Sequence, residues 1–511
     1  MLLKKFFGII ALSLVLCSLM GCVEQNHNSK EQILTIGYGK DTNVASPKMM
    51  DFMPEMMVLE RLIEYRDGEV LPSLATSWEI KDNGKTIVFH LKKDIKFSDG
   101  SPFTAEDVKF TFDRAIVQKS FHWTEADRIK SIEVIDPLTI AFHYENGKEG
   151  YIALFAFGEY HCSIMSPVSV EPKGNISGKI VNPIGTGQWK VDEYVKDQHT
   201  IFVRNENYHS EKPKLDKIII KVIPDAETRV LALRSGEIDM IVDYYHGGSS
   251  YTPRNLLEPL KSEGFNVIKN EMPMTMIINF NYKKEPWNDV RVRKAVNYAI
   301  DKDEVSVLFD NWVNPAKHGL YSEQGPYIKE ANVEAYPNDI NKAKTLLKNA
   351  GYGELKADFI LQGENPDEVK LGELIQAQLK KIDIQVKLSV LEGGAYSERR
   401  NKGDYDLMIN YIGGAERRSY TRTDGRFNPN APEFKYGAYD DPELTDILEK
   451  AVSSFDGNER QKEFKQFYQL LHEKAGVVPL YYDAVFIVAD KKVQGIKYVS
   501  SEPCFSGVWI E

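Results

Sequence analysis

Cysteine is scarce in this chain, with four residues in 511, and two of those, Cys17 and Cys22, fall in the first 22 positions. A disulfide-stapled scaffold is excluded, because only Cys162 and Cys504 remain for a folded body. Sequence distance alone leaves these two open as a disulfide or as two thiols. Basic residues are also in deficit: 64 Lys and Arg against 75 Asp and Glu give a formal charge of −11, so no long cationic face exists to neutralise nucleic-acid phosphates. Low-complexity tracts and fixed-period repeats are missing, which excludes a solenoid. The ten histidines are scattered, and neither a Gly-x-Ser-x-Gly elbow nor a His-Glu-x-x-His motif occurs. Acid pairs such as Glu443 and Asp446 read as a solvated helix face. What remains is globular material, 42% hydrophobic and 27% charged, long enough for about three domains of roughly 150 residues each.

The N-terminus is the most specific stretch. In MLLKKFFGIIALSLVLCSLMGC, Lys4 and Lys5 precede an uncharged apolar run that ends at the small residue Gly21, the pattern of a secretory signal. The run is short for a membrane span, which needs about 20 apolar residues. Residues 1–21 are therefore expected to be a signal peptide. Leu19-Met20-Gly21-Cys22 resembles a bacterial lipobox, which implies lipidation of Cys22, with 22–30 as a polar tether. The expected location is extracytoplasmic, anchored to the cell membrane by lipid.

Beyond the tether, helices and strands alternate. ILTIGYGKD reads as a strand, and RLIEYRDGEVLPSLATSWEI as a helix end, a turn and an extended segment. TIVFHL places Ile87, Phe89 and Leu91 on one strand face, and Thr104-Ala105-Glu106-Asp107 reads as a capping box opening a helix to about Val117, with the threonine oxygen accepting an amide. In PDAETRVLALRSGEIDMIV, Asp225 caps a helix carrying Val230, Leu231 and Leu233, Gly236 stops it, and Ile238, Met240 and Val242 alternate in a strand. EVKLGELIQAQLKKIDIQVKLSVLEGG repeats the helix-to-strand logic, and GDYDLMINYIGG adds a strand. The fold class is α/β.

Taken in order, LPSLATSWEI, LKKDIKFSDGSPFTAEDVKFTF, NPIGTGQWKVDEY, VRNENYHSEKPKLDKIIIKVIPDAETRVLALRSGEIDM, WNDVRVRKAVNYAIDKDEV and KAKTLLKNAGY resemble the extracytoplasmic solute-binding proteins of ATP-driven importers, in the peptide, opine and nickel class (bacterial solute-binding protein family 5). Within the NPIGTG marker, Gly185 and Gly187 read as serving a tight turn. The resemblance implies a two-lobe fold with a hinge and no catalytic residue or cofactor. It implies lobe I from 31–75, 185–270 and 480–511, an inserted subdomain at 76–184, and lobe II at 271–479. The implied partners are a small peptide or metal chelate, a membrane permease and an ATPase, with the protein itself monomeric. A secreted hydrolase is the alternative from another class.

The candidate ligand contacts centre on GAERRSYTRTDGRF, which follows the strand DYDLMINYI. A chain of net negative charge places Arg417, Arg418, Arg422 and Arg426 here, after two glycines that permit a sharp exit. A guanidinium holds a carboxylate through two parallel hydrogen bonds, and Tyr411 or Tyr420 can wall the same pocket. Arg417 and Arg418 carry the expectation more than Arg422 and Arg426; a solvated loop is the competing reading. By resemblance, peptide-binding members place an aspartate where this chain has Glu416, Arg417, Arg418 and Ser419. Members that bind nickel chelates use an aromatic matched by Trp123, beside His122, and often an arginine where Glu159 and Tyr160 stand here. Peptide, chelated metal and other anionic solutes all stay open, and no direct metal ligand set is expected.

Overall fold

The strand Ile33–Tyr38 is the centre of one half of the molecule, with Leu34, Ile36 and Tyr38 fully buried. The computed structural model describes residues 31–45, 52–66, 69–118, 128–147, 154, 157–158, 162–243, 252–320, 331–413, 426–429, 439–454, 457–499 and 502–511. Within it, Ile33–Tyr38 runs parallel to Lys217–Val222 on one side and to Met240–Val242 on the other. Helix Ala226–Ser235 makes the crossover. Asp225 Oδ1 accepts the Thr228 amide at 2.7 Å, and Gly236, at φ 75°, caps the far end. Leu231, read from sequence as part of the apolar face, points outward and is 61% exposed.

The other half repeats the arrangement. Leu355–Gln362 is parallel to Ile384–Leu391 and to Leu407–Gly413. Helix Pro366–Lys380 crosses over it, capped by Asn365 and burying Leu371, Ile375 and Leu379.

Two long antiparallel strands, Asn266–Phe280 and Val477–Ala489, belong to both halves. The last residues of Val477–Ala489 pair with Met240–Val242, and the second stretch of Asn266–Phe280 pairs with Leu407–Gly413, so one 11-stranded sheet threads through two α/β lobes. Register breaks midway. Glu271 pairs with Ala484 and Thr275 with Tyr482, so Met272, Pro273 and Met274 together stand opposite the single residue Asp483. Pro273 has no N–H to give a ladder, and a bulge of this kind bends a strand and redirects the side chain facing it.

A separate antiparallel sheet is formed by Ala75–Lys81, Thr86–Leu91, Thr139–Tyr144 and Ile129–Asp136. Its core is aromatic: Phe89, Phe112, Phe142 and Phe157 meet edge-on or tilted at 4.6–5.8 Å. Helix Ala105–Gln118 covers it. The cap differs from expectation. The Thr104 hydroxyl donates to Asp107 Oδ2 at 3.0 Å, and the same oxygen accepts the Thr104 amide at 2.8 Å, so the acid does the accepting.

Two further readings are corrected. RLIEYR is not a helix end: Ile63–Arg66 pairs with Glu69–Pro72, since alternating Ile63 and Tyr65 suit a pleated strand. Gly185 and Gly187 serve close approach rather than a tight turn, because the chain passes directly against the backbone of Met57 and Val58, where any Cβ would collide with a carbonyl. Cys162 and Cys504 are free thiols, the first buried and the second 3.1 Å from the Ser506 hydroxyl. Among the described residues no helix is long and apolar enough to cross a membrane.

Candidate functional site

In α/β sheets the carboxyl ends of parallel strands form the edge at which loops gather and ligands sit. Here Met240–Val242 runs into Asp243, Leu355–Gln362 leads to Asp367 and Glu368, and Leu407–Gly413 leads to the arginine-rich segment. The bridging strands pass between these ends, carrying Tyr481, Tyr482 and Asp483.

Asp243 ties its segment closed, its Oδ1 accepting the Thr252 amide at 2.7 Å and the Thr252 hydroxyl at 2.8 Å. Arg254 opens helix Arg254–Ser262 and turns its guanidinium back into the junction. Nη1 donates to Asp243 Oδ2 at 3.3 Å and to the Thr252 carbonyl at 3.1 Å. Nη2 donates to Asp483 Oδ1 at 3.3 Å and to the Ala484 carbonyl at 3.0 Å, while the group lies 4.7 Å over the Phe486 ring. The Arg254 amide meets Asp367 Oδ2 of the other lobe at 3.4 Å. All three charged side chains are sealed, 7% exposed for Arg254 and 2% for each aspartate.

Burial sets the electrostatics. It pushes Asp243 up to about 6 against the pull of Arg254, and it raises Asp483 and Asp367 as well. Burial works against the Arg254 charge, but Asp483, Asp243 and Asp367 more than restore it and hold its pKa above the usual value. Glu368, whose Oε1 accepts the Gln362 amide at 2.8 Å, is pushed by burial up to about 8. The bridging strands also anchor a second loop. The Thr275 hydroxyl donates to the Leu320 carbonyl, and the Tyr482 hydroxyl accepts the His318 amide at 2.9 Å.

Of the contacts expected from sequence, Tyr411 lies within the described residues, half-buried against the second-lobe core. Arg426, which the sequence ranked below its neighbours, is buried with its guanidinium 5.8 Å from the Tyr411 ring centre. Tyr396 stands nearby, its hydroxyl donating to the Ile409 carbonyl at 3.1 Å; burial raises its pKa, and Glu368 and Arg426 both act on it. Glu416, Arg417, Arg418, Tyr420, Trp123, Tyr160 and Cys22 lie outside the described residues. Among the described residues no group of three or more His, Cys, Asp or Glu is placed to hold a metal ion. Sequence reading missed Asp243, Arg254 and Asp483. A signal existed for two of them: Asp243 ends the apolar run MIV, and Asp483 interrupts VPLYYDAVFIV, where a charge in a buried strand demands a partner.

Comparison with known proteins is consistent along the chain. The family described as bacterial extracellular solute-binding proteins, family 5 (Middle), matches residues 69–431. The nickel-binding periplasmic protein of Escherichia coli K12 is 28% identical over 87% of this chain and 87% of its own length. The dipeptide-binding protein of the same organism is 27% identical over 85% of each. Among solved structures, NikA from Brucella suis in complex with Fe(III)-EDTA superposes with a TM-score of 0.85 at 27% identity, covering 94% of this chain and 100% of that one. DppA from Helicobacter pylori in complex with the peptide STSA gives 0.75 at 27% identity, over 94% and 98%. The chain belongs to the family 5 bacterial extracellular solute-binding proteins, and its fold is their two-lobe α/β fold.

Proposed function

Starting from that membership, we propose that this chain is the extracytoplasmic receptor of an ATP-driven importer, capturing a small peptide or related carboxylate-bearing solute between its lobes and delivering it to a membrane permease and its ATPase. The observation that carries this is the junction itself. Charged groups from both lobes and from the strands joining them converge on the carboxyl ends of the parallel strands, around Arg254 and Asp483 on one side and Arg426 and Tyr411 on the other. Closure of two lobes over such an edge buries a solute and alters the outer surface a permease reads. Within this reading 31–75, 185–270 and 480–511 make lobe I, 76–184 its inserted subdomain and 271–479 lobe II. Cys22 carries the lipid that holds the protein at the membrane, and Arg417 or Arg418 clamps the carboxylate, walled by Tyr411 or Tyr420.

A second reading, capture of nickel or another metal as a chelate, is favoured by the similarity to the Brucella suis protein bound to Fe(III)-EDTA. With no ligating group of three among the described residues, the chelator's carboxylates on arginine would carry that recognition. Native mass spectrometry of the purified protein, with metal analysis, identifies the retained solute. Small-angle scattering with that solute in excess should then show a smaller radius of gyration; an unchanged profile at saturation overturns capture by closure.

A further inference from the structure

Helix Arg254–Ser262 begins without a cap of its own. Val290–Ala299, Ile340–Asn349 and Pro366–Lys380 are capped by Asp289, Asp339 and Asn365, each accepting a first-turn amide through its side chain. At Arg254–Ser262 the cap position is Pro253, which brings no side-chain acceptor, no acid stands in the first turn, and the first helical residue is itself a cation. The opening amides of a helix lack partners within it, and its positive end favours an anion over a guanidinium, so this helix needs an acceptor from elsewhere.

That acceptor comes from the other lobe. Asp367 Oδ2 takes the Arg254 amide at 3.4 Å, across 113 positions of sequence. Asp367 already lies in the first turn of Pro366–Lys380, where its own amide donates to Asn365 Oδ1 at 3.2 Å. The N-termini of two helices, one from each lobe, therefore face a single carboxylate. Lys370 stands 3.9 Å from it on its own helix, and Asp483 acts against it from the bridging strand. The side chain is 12% exposed, so water screens these charges little. Burial raises the Asp367 pKa, and the charge and amide of Arg254 are the chief opposing influences.

This contact differs in kind from the strands that join the lobes. Asn266–Phe280 and Val477–Ala489 belong to both halves and bend with them. The Arg254–Asp367 bond instead spans two separate cores, from a helix seated by Leu257 and Leu260 to one seated by Leu371 and Ile375. Rotation of one lobe against the other changes its length without unfolding either helix.

We propose that Asp367 is an interlobe latch, capping a helix of the opposite lobe and so holding the solute-free protein towards its closed arrangement. Opening strips the helix of its cap, and a cap of this kind is worth a factor of about 2 to 30 in the closed-to-open ratio. The inference requires the two-lobe fold and no particular solute.

Small-angle scattering of the protein, stripped of bound solute by reversible unfolding, tests the latch. Asp367→Ala should have a larger radius of gyration than the parent, its closed-to-open ratio lower by that factor. Pro253→Asp gives the helix its own acid and sets a like charge against Asp367; it should also open the molecule, while its melt stays cooperative. A profile of Asp367→Ala that superposes on the parent's overturns the latch, and so does a Pro253→Asp protein as closed as the parent. Should Asp367→Ala fail to melt cooperatively, Pro253→Asp decides alone.

Discussion

Arg254 and Asp483 lie 229 positions apart in sequence and meet at 3.3 Å in the interior, one from the helix after a first-lobe strand, the other from a strand shared by both lobes. The pair locks a joint rather than a surface. Because both side chains are desolvated, neither tolerates loss of the other.

Arg254→Met should therefore lower stability by about 3–5 kcal/mol, since it leaves Asp243 and Asp483 buried without their cation. Urea unfolding reads this as a lower midpoint at an unchanged slope. A midpoint equal to the parent's would mean that the acids are neutral and the pair contributes nothing.

The same joint makes stability depend on pH. Glu368 at about 8 and Asp243 at about 6 both sit above their unfolded values near 4, so the folded state binds more protons across that window. The stabilisation is complete below about pH 4 and is lost as pH rises through 6 towards 8. Thermal melts of the parent should lose more between pH 5 and pH 8 than those of Glu368→Gln, which removes one titrating group. Parallel pH profiles would contradict this.

Gly187→Ala should destabilise by about 1–3 kcal/mol, because the new Cβ would stand 2.7 Å from the carbonyl oxygens of Met57 and Val58, and backbone cannot move aside as a side chain can. Calorimetry on the variant measures it; a melting point equal to the parent's would show that the two segments separate freely.

In the proposed reading one thiol supplies the whole lipid anchor, so Cys22→Ala should move the protein from the membrane fraction to the soluble fraction. Fractionation and the intact mass of the mature N-terminus decide the matter. Unchanged membrane retention, with no lipid mass on the parent, would refute lipidation.

Arg417→Ala or Arg418→Ala should weaken binding of the identified solute by roughly 2–5 kcal/mol, the cost of enclosing a carboxylate without its partner. Isothermal titration reports it. Affinities within about threefold of the parent for both variants would make this stretch a surface loop.

Local signals in the sequence reached the fold well. Asp225, Gly236 and the apolar spacing of Leu371, Ile375 and Leu379 specify their elements through contacts within one or two turns, and the helices stand where those signals place them. Thr104 failed for an equally local reason: a hydroxyl can donate as readily as accept, and Asp107 offered the stronger acceptor. The junction was illegible because its partners come from separate strands and helices. Nothing near Arg254 in the sequence announces Asp483, although a lone acid inside VPLYYDAVFIV states that some partner exists. The arginine segment was legible as a concentration of charge, yet its member placed among the described residues, Arg426, is one the sequence ranked low, because burial is decided by what packs against it, here Tyr411.

The paired strands that join the lobes also determine how the chain can be cut and rejoined. Asn279 and Val477 are neighbours across that ribbon, so the long excursion between them leaves and returns through a single doorway in the sheet. Everything it carries, from the helix beginning at Val290 to the one ending at Glu473, is joined covalently to the rest of the chain at these two adjacent points, while Leu407–Gly413 and Asn314–Pro315 pair back onto the bridging strands. That excursion is a cassette: a relative's segment, spliced at this one doorway, replaces an entire wall of the cleft while leaving the other wall's chain path untouched.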